Sequence, residues 1–179
     1  MSGDVILSAR DIVKRFGGVT ALNGVSFDLR AGEVHALCGE NGAGKSTLIK
    51  LLAGVHVHGS YEGEVRIGDK VASFRSTRDA ERAGIAVIHQ ELALFPEMSV
   101  GENLFLGALP RRRGLIDWDQ VYARAAVILA ECGMRLDPAT RVAELGVGQQ
   151  QLVEIARAIA RKPRVLVLDE PTAALAQHE

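Results

Sequence analysis

The 179-residue sequence predicts an α/β domain with a mostly parallel central sheet, N-terminal antiparallel strands and an inserted helical subdomain. Three observations carry this prediction. Short apolar runs alternate with stretches of helical periodicity, the pattern of strands and helices packed in layers. A glycine-rich loop, Gly39-Glu40-Asn41-Gly42-Ala43-Gly44-Lys45-Ser46-Thr47, stands between a strand-like run and a helix-like run. The run Val165 to Leu168 is apolar throughout, as befits a strand covered on both faces in the middle of a parallel sheet, and it ends on the carboxylates Asp169 and Glu170.

Val25, Phe27 and Leu29 alternate with polar residues and predict a half-exposed antiparallel strand. Val34 to Cys38 reads as a short apolar strand entering the glycine loop, which makes Cys38 a small core residue. Lys45 to Ala53 predicts a helix with Leu48, Ile49, Leu51 and Leu52 on a broad apolar face, ended by Gly54. Glu64 to Ile67 and Ile85 to Ile88 are further short strands. From Glu91 to about Gly148 no strand pattern appears, and this stretch, about 91–150, reads as a helical insertion in a single domain spanning 1–179. Within it Asp117 predicts a helix cap, with Gln120 three residues on. Val121, Ala125, Ile128, Leu129 and Cys132 then share one face, and Gly133 closes the helix. Gln149 to Arg161 predicts a last helix with Leu152, Ile155, Ala156 and Ile159 inward, broken by Lys162-Pro163.

Apolar residues at 47%, charged residues at 24% and a net charge of −1 describe an ordinary globular composition without the global field of a nucleic-acid binder. The basic run Arg111-Arg112-Arg113 reads as a solvated loop. The two cysteines have no metal or disulfide spacing, consistent with a reducing compartment. No signal peptide is visible, and no apolar run approaches the roughly 20 residues that span a bilayer. His56 and His58 beside Gly59 read as a loop, and Trp118 and Tyr122 as a packed i, i+4 pair.

The chemistry lies in three motifs. In the first, Gly39, Gly44, Lys45 and Ser46 fill the pattern G-x-x-x-x-G-K-[ST]. Glycines let the backbone wrap a phosphate with its N–H groups inward, the following helix adds its positive end, Lys45 reaches the terminal phosphates, and the Ser46 hydroxyl can ligate Mg²⁺. In the second, Asp169 and Glu170 end a buried strand at the carboxyl edge of the sheet, where open α/β folds bind ligands. Asp169 can hold Mg²⁺ through a water, and Glu170 can act as general base on an attacking water. The third is Leu145-Gly146-Val147-Gly148-Gln149-Gln150, glycines before a helix N-terminus and so a second anion site.

In this order the motifs resemble the nucleotide-binding domain of an ABC transporter, from about residue 5 to the C-terminus. The resemblance implies a P-loop NTPase core. Gly39 to Thr47 is similar to the Walker A loop, Leu145 to Gln150 to the signature loop, and Val165 to Glu170 to the Walker B strand with its catalytic carboxylate. Gln90 resembles the Q-loop glutamine, which contacts Mg²⁺ and water and couples to the membrane subunit. Phe16 resembles the aromatic that stacks on adenine. The wording His89-Gln90-Glu91-Leu92, Glu102 to Gly107, Gly148 to Ile155 and Asp169 to Leu175 resembles the first cassette of bacterial monosaccharide importers. That resemblance implies hydrolysis of ATP with Mg²⁺ on the cytoplasmic face of the inner membrane. It also implies a second cassette, a membrane permease and, indirectly, a periplasmic sugar-binding protein as partners.

Three features depart from the family pattern. Gly146 stands where the family usually has a serine whose hydroxyl contacts the γ-phosphate, and losing a hydrogen bond to a charged group costs about 1.5–3 kcal/mol. The chain ends at Glu179, before the family's switch histidine, and His178 does not match that position. No second cassette follows. The sequence therefore predicts a cassette incomplete at its C-terminus, with uncovered sheet edges and low solubility or marginal stability. Two alternatives to an importer ATPase are a cassette that binds nucleotide without turnover and a soluble ABC-type ATPase.

Overall fold

The computed structural model describes residues 3–88 and 92–169, which fall into two compact units. The chain is α/β, with eight strands and five α-helices among the described residues.

The first unit takes residues up to 87 together with 163–167. Its largest sheet is antiparallel, in the order β2-β1-β3-β4, built from β1 (Val5–Phe16), β2 (Val19–Arg30), β3 (Glu62–Ile67) and β4 (Lys70–Val71). β1 and β2 form a long hairpin whose register runs from Val5 opposite Arg30 to Phe16 opposite Val19, with a bulge after Ala9. Alternation along β1 buries Leu7 and Ala9, the bulge after Ala9 brings Ile12 to the same side, and the three meet Leu48, Leu51 and Leu52 of α1 (Lys45–Leu52), Val65 of β3 and Ala80 of α2 (Thr77–Arg82) in one core. The apolar face predicted for α1 is the face it buries. β5 (Ile85–Ile88) pairs with β8 (Val165–Leu168). Gly84 accepts from the Val165 amide at 3.0 Å and Ile88 from the Asp169 amide at 3.0 Å, so both strands advance together and the pair is parallel.

The second unit takes the described residues 88–162 and 168–169. Three helices pack around Val100, Leu104, Ala125, Leu129, Val153 and Ala156: α3 (Val100–Leu104), α4 (Trp118–Glu131) and α5 (Val147–Ala160). α3 starts in a capping box, the Ser99 hydroxyl accepting from the Glu102 amide at 3.2 Å and the Glu102 carboxylate from the Ser99 amide at 2.8 Å. α4 starts at Asp117, whose carboxylate accepts from the Gln120 amide at 3.1 Å, as its sequence predicts. Trp118 and Tyr122 stack with ring centroids 6.2 Å apart.

Four expectations are corrected. Residues 34–38 form no strand, and Cys38 is exposed rather than a core residue, because an apolar run becomes a strand only where neighbours take its N–H and C=O groups, and none of the described strands pairs with it. The parallel ladder among the described residues is the pair β5–β8, and Leu166 and Leu168 are exposed, so β8 is covered less than a central strand would be. The stretch read as free of strands holds a hairpin, β6 (Arg111–Arg112) with β7 (Leu115–Ile116), turned by Arg113 and Gly114. Both turn residues have positive φ, 53° and 88°, the signature of a type I′ turn. Finally, α5 begins two residues before Gln149 and buries Val153, Glu154, Ala156 and Ala158, leaving Leu152 and Ile159 exposed. That helix is apolar over most of its circumference, so periodicity alone did not set its inward face.

Candidate functional site

The glycine loop leads into α1 through Gly44, which sits at φ 90° as the helix N-cap. A side chain there would strike the Ala21 carbonyl oxygen and come within 2.9 Å of Leu22 Cδ2, so the loop packs directly on the start of β2. No side chain caps α1, and its first turn carries no acidic residue. The amides of Lys45, Ser46 and Thr47 therefore have no intrahelical acceptor, and the positive end of the helix is left for an anion. The Lys45 ammonium folds back across the loop and donates to the carbonyls of Gly39 at 2.7 Å and Glu40 at 3.0 Å. Within the loop the Ala43 amide donates to the Glu40 carbonyl at 3.1 Å. Asn41, Gly42, Ala43 and Ser46 are exposed, and Thr47 is half-buried. The Lys45 ammonium, held by two carbonyls of the loop, is a donor that can be exchanged onto phosphate oxygens.

Phe16 ends β1 in this same unit, at the tip of the hairpin whose second strand touches Gly44. Its ring lies 5.3 Å from that of His56, and Lys14 Nζ stands 5.0 Å from its centroid. Partial burial, with the ammonium groups of Lys14 and Lys50 nearby, pushes the His56 pKa below the usual histidine value. Lys14 and His56 belong to none of the sequence motifs. Period-2 alternation, which places Lys14 on the same side of β1 as Phe16, is the signal that finds the first; His56 is brought there by the loop after α1.

The signature-like loop lies in the second unit. Gly146 is the N-cap of α5, and its amide donates to Gln149 Oε1 at 3.3 Å. Gln150 anchors the loop from within, donating to the carbonyls of Val142 at 3.2 Å and Leu145 at 2.9 Å. Gly148 is half-buried and Gln149 is exposed. The Gly146 amide, which stands at the start of the anion site expected here, is thus already engaged by a side chain.

Asp169 follows β8 directly and is half-buried. Its carboxylate is a hard oxygen donor of the kind Mg²⁺ prefers, and so, within the first unit, is the Ser46 hydroxyl; each by itself suits that ion in type. Gln90 and Glu170 lie outside the described residues. Three residues after Gln90, the backbone of Ala93 is gripped by α5: its amide donates to Glu154 at 3.2 Å and its carbonyl accepts from Arg157 at 2.8 Å. Asn103, fully buried on α3, holds Phe95 in the same manner, accepting from its amide at 2.8 Å and donating to its carbonyl at 3.0 Å. The Ala93 clamp joins residues more than sixty positions apart and needs α5 in place before its partners are near, whereas the Asn103 clamp closes over eight residues.

The xylose import ATP-binding protein XylG of Moorella thermoacetica is 56% identical over 174 residues, 97% of this chain and 34% of that protein. The L-arabinose transport ATP-binding protein AraG of Geobacillus stearothermophilus is 51% identical over 172 residues, 96% of this chain and 34% of that protein. The chain thus spans about a third of the length of these curated relatives. Among solved structures, a nucleotide-free ATP-binding cassette from an ABC transporter superposes with a TM-score of 0.78 at 31% identity, covering 94% of this chain and 70% of the other. The ADP conformation of an ATP-binding cassette superposes equally well, with a TM-score of 0.78 at 31% identity over 97% of this chain and 73% of the other. The family model for ABC transporter matches residues 22–173, which takes in the phosphate loop, the signature-like loop and Asp169, and the chain belongs to the ABC transporter family.

Proposed function

We propose that this chain is the ATP-binding cassette of a carbohydrate importer, hydrolysing ATP to ADP and phosphate. The observation that carries the reading is the phosphate loop, with uncapped amides at the start of α1 and Lys45 poised over its mouth. The loop amides from Gly39 to Thr47 and the Lys45 ammonium bind the phosphates, and Phe16 stacks on the base. Ser46 and Asp169, with Gln90, would hold Mg²⁺, which supplies charge neutralisation on the phosphate oxygens when bound. Glu170 takes the proton of the attacking water. Gly146, Gly148 and Gln149 serve the nucleotide of an opposing cassette.

In this reading residues 1–179 are one ATP-binding domain with a helical subdomain at about 91–150. Its partners are a second cassette and a membrane permease, and indirectly a periplasmic sugar-binding protein, at the cytoplasmic face of the inner membrane. The relatives named for xylose and arabinose import support this. Titration of the chain with ATP tests the site, because Lys45→Ala must weaken binding. Phosphate release tests turnover, with Glu170→Gln expected to abolish it and leave binding intact.

A second reading, nucleotide binding without turnover, is favoured by the signature-like loop. Gly146 offers no hydroxyl, and its amide is taken by Gln149. Phosphate release equal in the native chain and in Glu170→Gln would select this reading over the first.

A further inference from the structure

The ring of Phe16 is nearly half exposed, at 45%, and two groups from outside the motifs pack against it. His56 meets it at 5.3 Å between centroids with the planes tilted by 59°. Lys14 Nζ sits over it at 5.0 Å. Both are fixed in place. Lys14 is only 7% exposed, and its ammonium donates to the Ser60 carbonyl at 2.6 Å. The amides of Val55 and His56 both donate to the Lys50 carbonyl, at 2.9 and 3.3 Å, so His56 is carried on the last turn of α1. The first turn of that helix receives the phosphate loop. Eight residues of helix are about 12 Å long, so the glycine loop and the His56 that touches Phe16 are anchored at opposite ends of α1.

We propose that His56 and Lys14 are positioning residues of the nucleobase platform, holding the Phe16 ring in the orientation that receives a purine whose phosphates lie in the glycine loop. The proposal rests on the reading of Phe16 as the base-stacking ring. An exposed phenylalanine at a hairpin tip otherwise samples several rotamers, and a base must select one. A tilted aromatic contact and a buried ammonium against the same ring remove that freedom before the ligand arrives. Partial burial and the nearby ammonium groups of Lys14 and Lys50 shift His56 towards its neutral form, which limits repulsion with Lys14.

The test is calorimetric titration of the full chain with two probes, ATP and inorganic tripolyphosphate. Phe16→Ala is expected to weaken ATP and leave tripolyphosphate unchanged. His56→Ala and Lys14→Met each weaken ATP about three- to tenfold, the scale of one aromatic or cation–ring contact, with tripolyphosphate within about twofold. Adding His56→Ala to Phe16→Ala costs nothing more, and His56→Phe restores ATP binding. A general loss of folding would lower both probes together; His56→Gln, which keeps polarity and removes the ring, then replaces the alanine variant. If Phe16→Ala weakens ATP while His56→Ala, His56→Gln and Lys14→Met all bind it normally, the positioning role is wrong and the platform stands. If Phe16→Ala itself binds ATP normally, the platform reading fails, and the positioning role with it.

Discussion

Replacing Gly44 with alanine separates two costs that the loop imposes on its glycines. The residue sits at φ 90°, where an L side chain is strained by about 1–2 kcal/mol. Its new Cβ would also press on the Ala21 carbonyl oxygen and on Leu22 Cδ2 at 2.9 Å, and a backbone oxygen within a sheet has little room to give. Overpacking of this kind adds about 1–3 kcal/mol. Gly42 is the internal control: its φ is 84°, yet nothing lies within 4 Å of a Cβ built there. Gly42→Ala should therefore cost only the first amount, about 1–2 kcal/mol, and Gly44→Ala about 2–5 kcal/mol. At this chain length the difference corresponds to a further fall in melting temperature of about 2–4 °C per kcal/mol. Because relief of the clash moves the loop away from β2, Gly44→Ala should also weaken ATP at least tenfold, about 1.4 kcal/mol. Thermal melts and ATP titration of both variants provide the measurement. Equal destabilisation by the two substitutions, within about 0.5 kcal/mol, would refute the claim that the loop is seated on β2.

Lys45→Ala removes a charge-assisted bond to phosphate and should weaken ATP by about one to two decades in titration while leaving the melt nearly unchanged. Asn103→Ala leaves the Phe95 amide without its partner, while the Phe95 carbonyl keeps the Met98 amide, and should destabilise by about 1–3 kcal/mol in urea unfolding, with aspartate failing to rescue fully because it cannot donate to the Phe95 and Ser99 carbonyls. His56 titrates below its unfolded value, so it contributes stability above the ordinary histidine range that is lost as the pH falls through the folded value. The native chain should accordingly lose more melting temperature than His56→Phe between about pH 7 and pH 5. Glu170→Gln should retain ATP binding and stop phosphate release.

The elements legible in the sequence were those whose stabilisation is local. Asp117 caps α4 because its carboxylate needs only the Gln120 amide three residues on. α1 forms where its apolar face is continuous, from Leu48 to Leu52, and the glycine loop before it is specified by residues that permit positive φ. The hairpin of Arg111 to Ile116 was missed because its strands are two residues each, too short for alternation to register. Residues 34–38 were misread because their apolar run carries no information about who pairs with it.

The candidate site divides along the same line. Sequence alone determined which atoms are chemically suited to phosphate and metal: the glycine-loop amides, the Lys45 ammonium, the Ser46 hydroxyl and the Asp169 carboxylate. Their identity and spacing suffice because the chemistry belongs to the residues themselves. Only tertiary structure decided how those atoms are supported. Gly44 lies against Ala21 through a β2 contact more than twenty residues away in sequence, and Phe16 is braced by His56 forty residues on. Ala93 is held from α5 by Glu154 and Arg157, more than sixty residues away. Each of these depends on where packing brings one side chain relative to another, and packing follows from the summed burial of many apolar groups, which no short motif encodes.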